Sequence, residues 1–445
     1  MSVSEKIADY VIGLDYDKLP KDVQDILVTA VYNYMGCLRA GAQEQVSKVV
    51  RRTIEASFSK GKCHLIGTGV MSDPMAAALF NGTTANALGF DDMYAGGVYH
   101  PGTAAITAAL VVSELVHPTG KQFMEAVLAG YEIGDRIARM VNPSQYKKWH
   151  TACAVGVFGA CVSAGKLLGL DRDQMVSALG AAGTQACGLQ ECSDNMAIRL
   201  HHGISSRNGI IAALLAKNGF DGPKHILEGT GGYVNATSEF SGDIESQFDD
   251  LGEKYLIQST TFKFYPCCGH IHACIDAAVF AMKNSGFKSE DIKSVKVGSY
   301  RVAVEGDSNP NPNGTQQAKF SIEYCVACGI LYGNASMSEF SEWPPKKEIT
   351  DMMAKTTVYV DDICEANYPR GKRGGTVTLV TDAGEYTQAR YSRRGDPDCP
   401  LSVDDIRSKF MSLALMTMSR DKAEELDSCL ARLPELEDAS VLAVI

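Results

Sequence analysis

The spacing of apolar residues changes twice along this chain, and this change restricts the fold more than any other feature of the sequence. Up to about residue 240, apolar residues recur every three or four positions, as at 20–38, which is typical of one face of an amphipathic helix. After about residue 265 they alternate with polar residues, and from Pro400 onward the helical spacing returns. The pattern predicts a helical segment, an α+β segment and a second helical segment that can rejoin the first in space.

Four stretches in the middle of the chain predict strands. IKSVKVGSY at 292–300 and TTVYVDD at 356–362 alternate polar and apolar residues. GTVTLVT and EYTQARY do the same, and Asp382-Ala383-Gly384 joins them, which predicts a hairpin. Between these strands, AKFSIEYCVACGILYG at 318–333 predicts a buried helix.

Several helix starts are readable from local chemistry. Asp73 followed by Pro74 is the pattern of an N-cap and a first-turn proline. Another helix is predicted to begin near Pro101. In the C-terminal segment, Ser402 and Asp405 have the spacing of a capping box.

The composition is that of a large globular protein. The chain has 445 residues, 45% of them hydrophobic and 21% charged, which predicts about two or three domains with a sizeable core. A net charge of -11 without a Lys/Arg cluster indicates that nucleic acid is not a partner. A small acidic substrate stays compatible with this charge, because a few cations in one cleft suffice to bind it.

The first residues and the cysteines bear on the compartment. MSVSEKIADY lacks the charged start and apolar stretch of a secretory signal, and no segment reaches the roughly 20 apolar residues of a membrane span. The fourteen cysteines are scattered, several of them within apolar helical patterns, which is typical of reduced, buried thiols. We therefore expect a cytoplasmic protein with no membrane partner.

A glycine-rich connection between two predicted helices, GFDDMYAGGVYHPG at 89–102, carries acid–base groups. It contains Asp91, Asp92 and His100. A carboxylate and an imidazole on one loop can tune each other's proton affinity, which suits proton transfer. The alternative is structural: one aspartate caps a helix, and His100 simply precedes a helix that begins with proline.

One histidine stands at the head of a run of small and apolar residues, KWHTACAVGVFGACVSAGKLLGL at 148–170. Such a run is typical of a buried helix, so we expect His150 to enter the interior with it. The run alone does not assign a chemical role to the imidazole.

A further polar group, NMAIRLHHGISSRNG at 195–209, is predicted just before a helix. It supplies Arg199, His201, His202 and Arg207. Arginine is suited to bidentate carboxylate binding, and a nearby helix N-terminus adds donors for an anion. Arg199 and His201 are therefore candidates for substrate binding. The alternative is an arginine bonded to backbone carbonyls at a domain boundary.

Another polar group lies at 262–278, FKFYPCCGHIHACIDAA. It holds Lys263, two adjacent cysteines and two histidines. This composition suggests zinc, but adjacent cysteines cannot form the usual C-x-x-C clip, and no second cysteine pair lies at finger spacing. No metal is predicted, and Cys268 and His272 are kept as candidate substrate-binding residues.

Lys319 is the last candidate, on QAKFSIEY at the start of the predicted helix 318–333. Ser321 and Tyr324 accompany it. The alternative for Lys319 is a place on a solvated first turn, where its charge needs no ligand.

Several familiar motifs are missing from the sequence. It contains no G-x-G-x-x-G after a strand, no G-x-x-x-x-G-K-[ST], no G-x-S-x-G and no H-E-x-x-H. Nucleotide-dependent, serine-hydrolase and zincin chemistry therefore lack their usual support. A cofactor-free acid–base enzyme is what remains.

Six stretches, taken in order, resemble the MmgE/PrpD family, which includes 2-methylcitrate dehydratase, cis-aconitate decarboxylase and iminodisuccinate epimerase. They are NALGFDD with HPG, WHTACAVGVFGA with AGKLLGLD, RLHHG with RNG and AALLAKNGFDGP, FKFYPCCGHIHACIDA, AKFSIEYCVA, and GDPDCPLSVDDIRSKF. Together they extend over nearly the whole chain.

The resemblance implies a mostly α fold with an α+β second domain. A large all-helical domain would consist of the N-terminal part plus the C-terminal helices, at 1–265 and 392–445. A smaller α+β domain, at 266–391, would be inserted into it. The resemblance also implies a homodimer and an active site in the cleft between the two domains.

The same resemblance implies a site for a small di- or tricarboxylate without a cofactor. Asp91, His100, His150, Lys263 and the CCGHIH segment match positions that bind substrate or move protons in relatives. His150 would be a buried imidazole that exchanges a proton with a carbon acid. Cationic groups would bind the carboxylates, and one scaffold could then run a dehydration, a decarboxylation or an epimerisation.

Two positions depart from the family pattern. Ile198 stands where many relatives have a lysine before RLH, which removes a carboxylate partner, and Tyr94 stands where a histidine is common. Tyr94 is therefore a candidate second proton carrier. We expect a lyase, a dehydratase or decarboxylase of a 2-methylcitrate- or cis-aconitate-like substrate. The absent lysine keeps two alternatives open: an epimerase of an iminodisuccinate-like dicarboxylate, and a catalytically inactive family member.

Overall fold

The computed structural model describes residues 1–192 and 195–445 and divides into two compact units. One unit, here the helical unit, comprises Met1–Phe262 and Ser402–Ile445. The other, the α+β unit, is Lys263–Leu401. The predicted fold class, mostly α with a smaller α+β part, is confirmed. The α+β unit thus begins at 263 and ends at 401, whereas the resemblance placed the α+β domain at 266–391.

The helical unit is built from helices of very different length. In chain order they are α1 Val3–Gly13, α2 Lys21–Gly41, α3 Gln45–Ser57, α4 Pro74–Ala85, α5 Pro101–Val116, α6 Gly120–Val141, α7 Thr151–Ala154, α8 Gly156–Leu167, α9 Arg172–Gly183, α10 Ala197–Lys217, α11 Tyr233–Thr237, α18 Val403–Ala414, α19 Arg420–Ala431 and α20 Val441–Val444.

Small sheets interrupt these helices, although the sequence predicted an all-helical domain. β1, Cys63–Leu65, pairs antiparallel with β2, Val70–Ser72. β3, Asp92–Tyr94, pairs antiparallel with β4, Thr260–Phe262. Each strand has three residues, too few for an alternating pattern to show in the sequence. The second sheet holds the loop between α4 and α5.

The run of small residues at 148–170 forms α7 and α8 and is buried, as expected. Close helix packing explains its composition. A Cβ placed on Gly130 of α6 would lie 2.4 Å from the Cβ of Ala105 on α5. On α8, a Cβ on Gly159 would lie 2.9 Å from the backbone oxygen of Gly130. The helices approach to distances that larger side chains would prevent.

The predicted helix starts are confirmed. Oδ1 of Asp73 accepts from the backbone N–H groups of Met75 and Ala76, both at 3.0 Å, at the start of α4. Pro101 is the first residue of α5. Ser402 and Asp405 form a reciprocal capping box at the start of α18.

The α+β unit combines helices with one four-stranded sheet. Its elements are α12 His272–Ser285, β5 Ser294–Ser299, α13 Arg301–Asp307, α14 Thr315–Ala318, α15 Ile322–Tyr332, α16 Lys347–Met353, β6 Thr356–Val360, α17 Asp362–Asn367, β7 Gly375–Thr381 and β8 Gly384–Arg390.

The sheet has the strand order β6–β5–β7–β8. β5 and β6 run parallel, and the other pairs are antiparallel. The predicted hairpin is confirmed: β7 and β8 pair from Gly375 opposite Arg390 to Thr381 opposite Gly384. Helix α12 packs on the sheet, since a Cβ on Gly375 would lie 2.7 Å from the backbone nitrogen of Cys274.

The helix predicted at 318–333 begins later than expected. Oγ of Ser321 accepts from the backbone N–H of Tyr324 at 3.1 Å and so caps α15, whose first residue is Ile322. Lys319 therefore lies between α14 and α15 and not in a helical first turn. Its side chain is half-buried.

The cysteines and the helix lengths bear on two further expectations. All fourteen cysteines lie within the described residues as free thiols; ten are buried, and four are half-buried although burial was expected. Within the same residues, none of the helices combines the length and the apolar character needed to cross a bilayer.

Candidate active site

His100 is held by two acceptors on its own loop. Its Nδ1 lies 2.7 Å from the backbone oxygen of Asp92 and 3.0 Å from Oδ2 of Asp91. Since both partners are acceptors, Nδ1 carries a proton. Nε2 is then the ring nitrogen that can exchange a proton with a bound molecule.

Asp91 is connected to Arg199 through an asparagine. Nδ2 of Asn86 donates to Oδ1 of Asp91 at 2.7 Å. Nη1 of Arg199 donates to Oδ1 of Asn86 at 2.6 Å. Gly89, with a φ of +63°, passes so close that a Cβ there would lie 3.2 Å from Nη2 of Arg199. A guanidinium, an amide and a carboxylate thus form one hydrogen-bonded series, and the carboxylate lies at ion-pair distance from the imidazole of His100.

The two adjacent aspartates have different environments. The hydroxyl of Tyr131, on α6, donates to Oδ2 of Asp92 at 2.8 Å. Burial raises the pKa of Asp92 to about 6, and the carboxylate of Asp91 adds to the shift. Asp92 therefore ties the loop to α6, whereas Asp91 faces the imidazole of His100.

The polar residues predicted just before a helix lie inside α10, so that part of the prediction was wrong. Gly203 stands among them, and glycine is more typical of helix ends than of helix interiors. Here a Cβ on Gly203 would lie 2.1 Å from the backbone oxygen of Leu79. The glycine instead lets α10 pack directly against α4. The helix carries Arg199, His201, His202 and Arg207.

Four imidazoles lie together in the helical unit. Nδ1 of His150 lies 3.1 Å from Nδ1 of His201. The ring centre of His202 is 5.6 Å from that of His150 and 5.6 Å from that of His100. A small molecule bound here would meet imidazole nitrogens from the α4–α5 loop, from the residue before α7 and from α10.

The tautomer of His202 follows from its partner. Its Nδ1 lies 2.7 Å from Oγ1 of Thr103. The Thr103 hydroxyl has one proton and donates it to the backbone oxygen of His100 at 2.9 Å. A Thr103 hydroxyl that donates to His100 accepts from His202, and this arrangement puts the ring proton of His202 on Nδ1.

Burial keeps three of these rings neutral. It lowers the pKa of His150 to about 3, with His100 and His201 adding to the shift. It lowers the pKa of His202 well below its usual value and also lowers the pKa of His201. His100 is the ring in this group that faces a carboxylate, so a positive charge is best compensated there.

His150 itself is 5% exposed and occupies the position before α7. Its backbone N–H donates to the oxygen of Gly188 at 3.0 Å. Trp149 and Leu189 form a bridge beside this bond. The segment after α9 thus fixes the backbone that carries the imidazole.

The two departures from the family pattern have different surroundings. Tyr94 is buried, and a Cβ on Gly96 would lie 2.6 Å from its hydroxyl. Burial raises the pKa of Tyr94 to about 12, and Asp135 and Arg139, both on α6, are the charged groups that act on it most. Ile198 is half-buried on the first turn of α10, next to Arg199.

The remaining predicted residues belong to the α+β unit. Lys263, its first residue, is half-buried. Cys268 donates its backbone N–H to the oxygen of Lys319 at 2.9 Å, and its Sγ lies 3.4 Å from Oδ2 of Asp307. His272 is buried at the start of α12, with Nε2 3.4 Å from the backbone oxygen of Cys267. The unit thus brings Cys268 and Lys319 together.

A second imidazole of this unit, His270, was quoted in the sequence motif but not selected. Its Nδ1 bonds to the hydroxyl of Tyr300, and burial lowers its pKa to about 4. Burial also raises the pKa of Asp307, beside Cys268, to about 6. No local pattern in the sequence relates Tyr300 or Asp307 to this motif, because α12 and β5 separate them in the chain.

Asn86 and Thr103 were also missed. Asn86 directly follows α4, and Thr103 lies in the first turn of α5. Their contacts with Arg199 and His202 join residues 113 and 99 positions apart, which no local pattern reveals. His202 was not among the predicted site residues, although its position beside the candidate His201 is a signal in the sequence.

One group of described residues could hold a metal ion. His150, Cys192 and His201 offer donor atoms that all lie within 4.8 Å of one another. Sγ of Cys192 is 3.5 Å from Nδ1 of His201. Imidazole and thiolate donors of this kind suit a thiophilic divalent cation.

Two models of known families match this chain in succession. The MmgE/PrpD N-terminal domain matches residues 5–243, and the MmgE/PrpD C-terminal domain matches residues 265–433. The chain belongs to the MmgE/PrpD family. The resemblance read from the sequence motifs is thereby confirmed.

Curated members of the MmgE/PrpD family align with the chain over most of its length. A cis-aconitate decarboxylase of Aspergillus terreus is 25% identical over 99% of this chain and 95% of its own. The human cis-aconitate decarboxylase is 24% identical over 100% of this chain and 94% of its own. The mouse enzyme is 25% identical over 83% of this chain and 78% of its own.

Proposed function

We propose that the protein is a cofactor-independent lyase that acts on a small di- or tricarboxylate by decarboxylation or dehydration. The observation that supports this most directly is the group formed by Asp91, His100, His150 and Arg199 in the helical unit. In this group, the guanidinium of Arg199 can bind a substrate carboxylate, and the imidazoles of His100 and His150 can transfer protons. Curated relatives over nearly the full chain are named cis-aconitate decarboxylases, which places a tricarboxylate first among the substrates to test.

Arg199 is the proposed carboxylate partner. Its Nη1 donates to Oδ1 of Asn86 at 2.6 Å, and Arg199 is half-buried. A guanidinium fixed at one nitrogen can still present others to a planar carboxylate in bidentate fashion. The neutral rings of His201 and His202 add hydrogen-bonding groups without adding charge.

The proposed proton donor is His100. In a decarboxylation, the carbon–carbon bond to the carboxylate breaks, carbon dioxide leaves, and the electron pair remains on carbon until a proton arrives. A protonated His100 supplies that proton from Nε2, and Asp91 at 3.0 Å from Nδ1 compensates the charge before transfer. Nδ1 keeps its hydrogen bond to the backbone oxygen of Asp92 throughout, so the ring does not reorient.

The proposed base is His150. Burial holds its pKa at about 3, so the ring is neutral over the physiological range. In a dehydration, a neutral imidazole takes the proton from the carbon beside a carboxylate, and hydroxide leaves with a proton from the acid. The roles implied for Tyr94, Lys263, Cys268, His272 and Lys319 stay predictions, as does the homodimer.

An epimerase is the second candidate, and Ile198 is the observation that favours it. A side chain without charge at this position removes a group that could bind a further carboxylate or assist a leaving hydroxide. Epimerisation needs two proton carriers on opposite faces of one carbon but no acid for a leaving group. A dicarboxylate would then be the fitting substrate.

Proton NMR in deuterium oxide tests both candidates. The acids are incubated one at a time with the purified protein and, as a control, without it. The panel is citrate, 2-methylcitrate, cis-aconitate, malate and iminodisuccinate. A lyase changes the substrate signals by loss of water or carbon dioxide. An epimerase introduces deuterium beside a carboxylate without such a loss. Silence across the panel, in a protein with native circular dichroism, would contradict the proposal.

Ile198→Lys is expected to change substrate preference. The new lysine precedes Arg199 on α10, at the position where many relatives have a lysine, and would offer a second carboxylate partner. We expect the ratio of kcat/KM for tricarboxylates to that for dicarboxylates to rise by about tenfold, the effect of one charged hydrogen bond. Ile198→Met is the uncharged control and should leave the ratio unchanged. Equal ratios in both variants would show that residue 198 does not contact substrate.

A further inference from the structure

Two thiols outside the proposed chemistry lie close together in the helical unit. Sγ of Cys153, on α7, is 3.4 Å from Sγ of Cys187, which follows α9. Cys153 is buried and Cys187 is half-buried. A disulfide requires an S–S distance of about 2.05 Å and closely spaced backbones. The sulfurs therefore need to approach by little more than an ångström, within the range of side-chain rotation.

The backbone beside this pair is already close. A Cβ on Gly188 would lie 2.5 Å from the Cβ of Cys153, so only a glycine permits the approach. Gly188 has a φ of +100°, a conformation that favours glycine. The chain after Cys187 thus passes directly over Cys153.

The two thiols differ in acidity. The hydrogen bond between the two thiols and the positive charge of Arg207 lower the pKa of Cys187 to about 7. The pKa of Cys153 is raised by the same hydrogen bond and by burial. Cys187 is therefore the more acidic thiol of the pair, and it is half-buried whereas Cys153 is buried.

We propose that Cys153 and Cys187 form a site of reversible oxidation by hydroperoxides. The thiolate of Cys187 attacks the peroxide, the O–O bond breaks, and Cys187 becomes a sulfenic acid while an alcohol or water leaves. The thiol of Cys153 then attacks that sulfur and releases water, which leaves a disulfide. Overall, two thiols are oxidised by two electrons and one peroxide is reduced.

The disulfide would act on the candidate active site through the backbone. The backbone N–H of His150 donates to the backbone oxygen of Gly188 at 3.0 Å. The backbone N–H of Gln190 donates to the backbone oxygen of Lys148, also at 3.0 Å. Drawing Cys187 toward Cys153 displaces Gly188 and with it the backbone of His150. Displacements of about an ångström at a reacting group can cost about 10²-fold in rate. This second part rests on the proposed function, whereas the disulfide itself does not.

Thiol counting and peptide mapping test the site. The reduced protein is treated with hydrogen peroxide in the presence of a chelator, quenched in acid, denatured and labelled. The wild type should fall from fourteen to twelve free thiols, with a Cys153–Cys187 peptide that dithiothreitol removes. Cys267 and Cys325 also contact each other but are both buried, so their linked peptide should not form at the same dose.

Single variants separate the two steps. Cys153→Ser should trap the sulfenic acid on Cys187, seen as one dimedone adduct, whereas Cys187→Ser should give neither adduct nor disulfide. Cys429→Ser, which removes another half-buried thiol of the helical unit, should still lose two thiols. Loss of two thiols in Cys187→Ser, or a linked peptide that excludes Cys187, would overturn the proposal.

Activity distinguishes the second part from the first. On any substrate found active, peroxide should lower kcat/KM of the wild type by at least about tenfold, with recovery in dithiothreitol. Cys187→Ser should keep its activity under the same treatment. A disulfide that forms without loss of activity would overturn the coupling to His150. An inactive protein that still forms the disulfide would contradict the proposed function and leave the oxidation site standing.

Discussion

Replacing His150 by alanine is expected to lower kcat/KM on the accepted carboxylate by about 10²–10⁴-fold, the contribution of one positioned proton carrier. The imidazole is buried, neutral and 3.1 Å from His201. Removing it leaves no neighbouring ring in the same position to exchange the proton. The measurement is the steady-state rate on the substrate identified by NMR, together with circular dichroism of the variant.

Two further variants test whether the loss is specific to the imidazole of His150. His150→Gln keeps a polar side chain but cannot act as a base, so it should be nearly as inactive as alanine. His225→Ala removes an exposed histidine of the same unit and should retain full activity. A folded His150→Ala protein with wild-type kinetics would contradict the role assigned to His150.

Replacing Arg136 by methionine is expected to lower the free energy of unfolding by about 3–5 kcal/mol, the usual cost of leaving buried charges uncompensated. Arg136, on α6, is fully buried. Its Nη1 lies 3.0 Å from Oδ1 of Asp250, and its Nη2 lies 3.5 Å from Oε2 of Glu132 and donates to the oxygen of Lys254 at 2.8 Å. Methionine fills similar volume but removes every one of these contacts.

The buried carboxyls beside Arg136 make this loss depend on pH. Burial raises the pKa of Glu132 to about 7 even with Arg136 beside it, and raises that of Asp135 well above its usual value. Both groups thus bind protons in the fold that they would release when unfolded at neutral pH. Without Arg136 their charged forms become still less favourable, so the variant should lose more stability at pH 8 than at pH 5.

Urea denaturation followed by circular dichroism measures the loss at both pH values. Arg420→Met is the matched control, because Arg420 pairs with Glu424 while both side chains are largely exposed; it should cost less than about 1 kcal/mol. A loss in Arg136→Met no larger than that of the control would show that the buried charges are compensated in another way.

The fold was predictable wherever local chemistry sets it. Asp73–Pro74 and the Ser402–Asp405 box mark helix starts because their side chains satisfy the first backbone N–H groups. The β7–β8 hairpin follows from alternation around a short connection. The three-residue strands β3 and β4 were not predictable, because their pairing joins segments about 168 residues apart and has no local signature.

Most residues of the candidate site could be predicted from the sequence, but the contacts between them could not. The small-residue run indicated that His150 is buried, and Asp91 and His100 stood out on one glycine-rich loop. The local pattern did not separate Asp91 from Asp92, and only the resemblance to the family favoured Asp91. Their difference arises because Tyr131 binds one carboxylate while Asn86 and His100 bind the other.

By itself the sequence determined the fold class, the family and most of the polar residues worth considering, because helix period, strand alternation and ordered motifs are properties of neighbouring positions. The tertiary structure alone decided which of these residues meet. It joined Arg199 to Asp91 through Asn86, placed His201 and His202 inside α10 against His150 and His100, and set Cys153 beside Cys187. These contacts depend on helices packed at distances that glycine permits, and such distances are set by the whole core and not by any one segment of the chain.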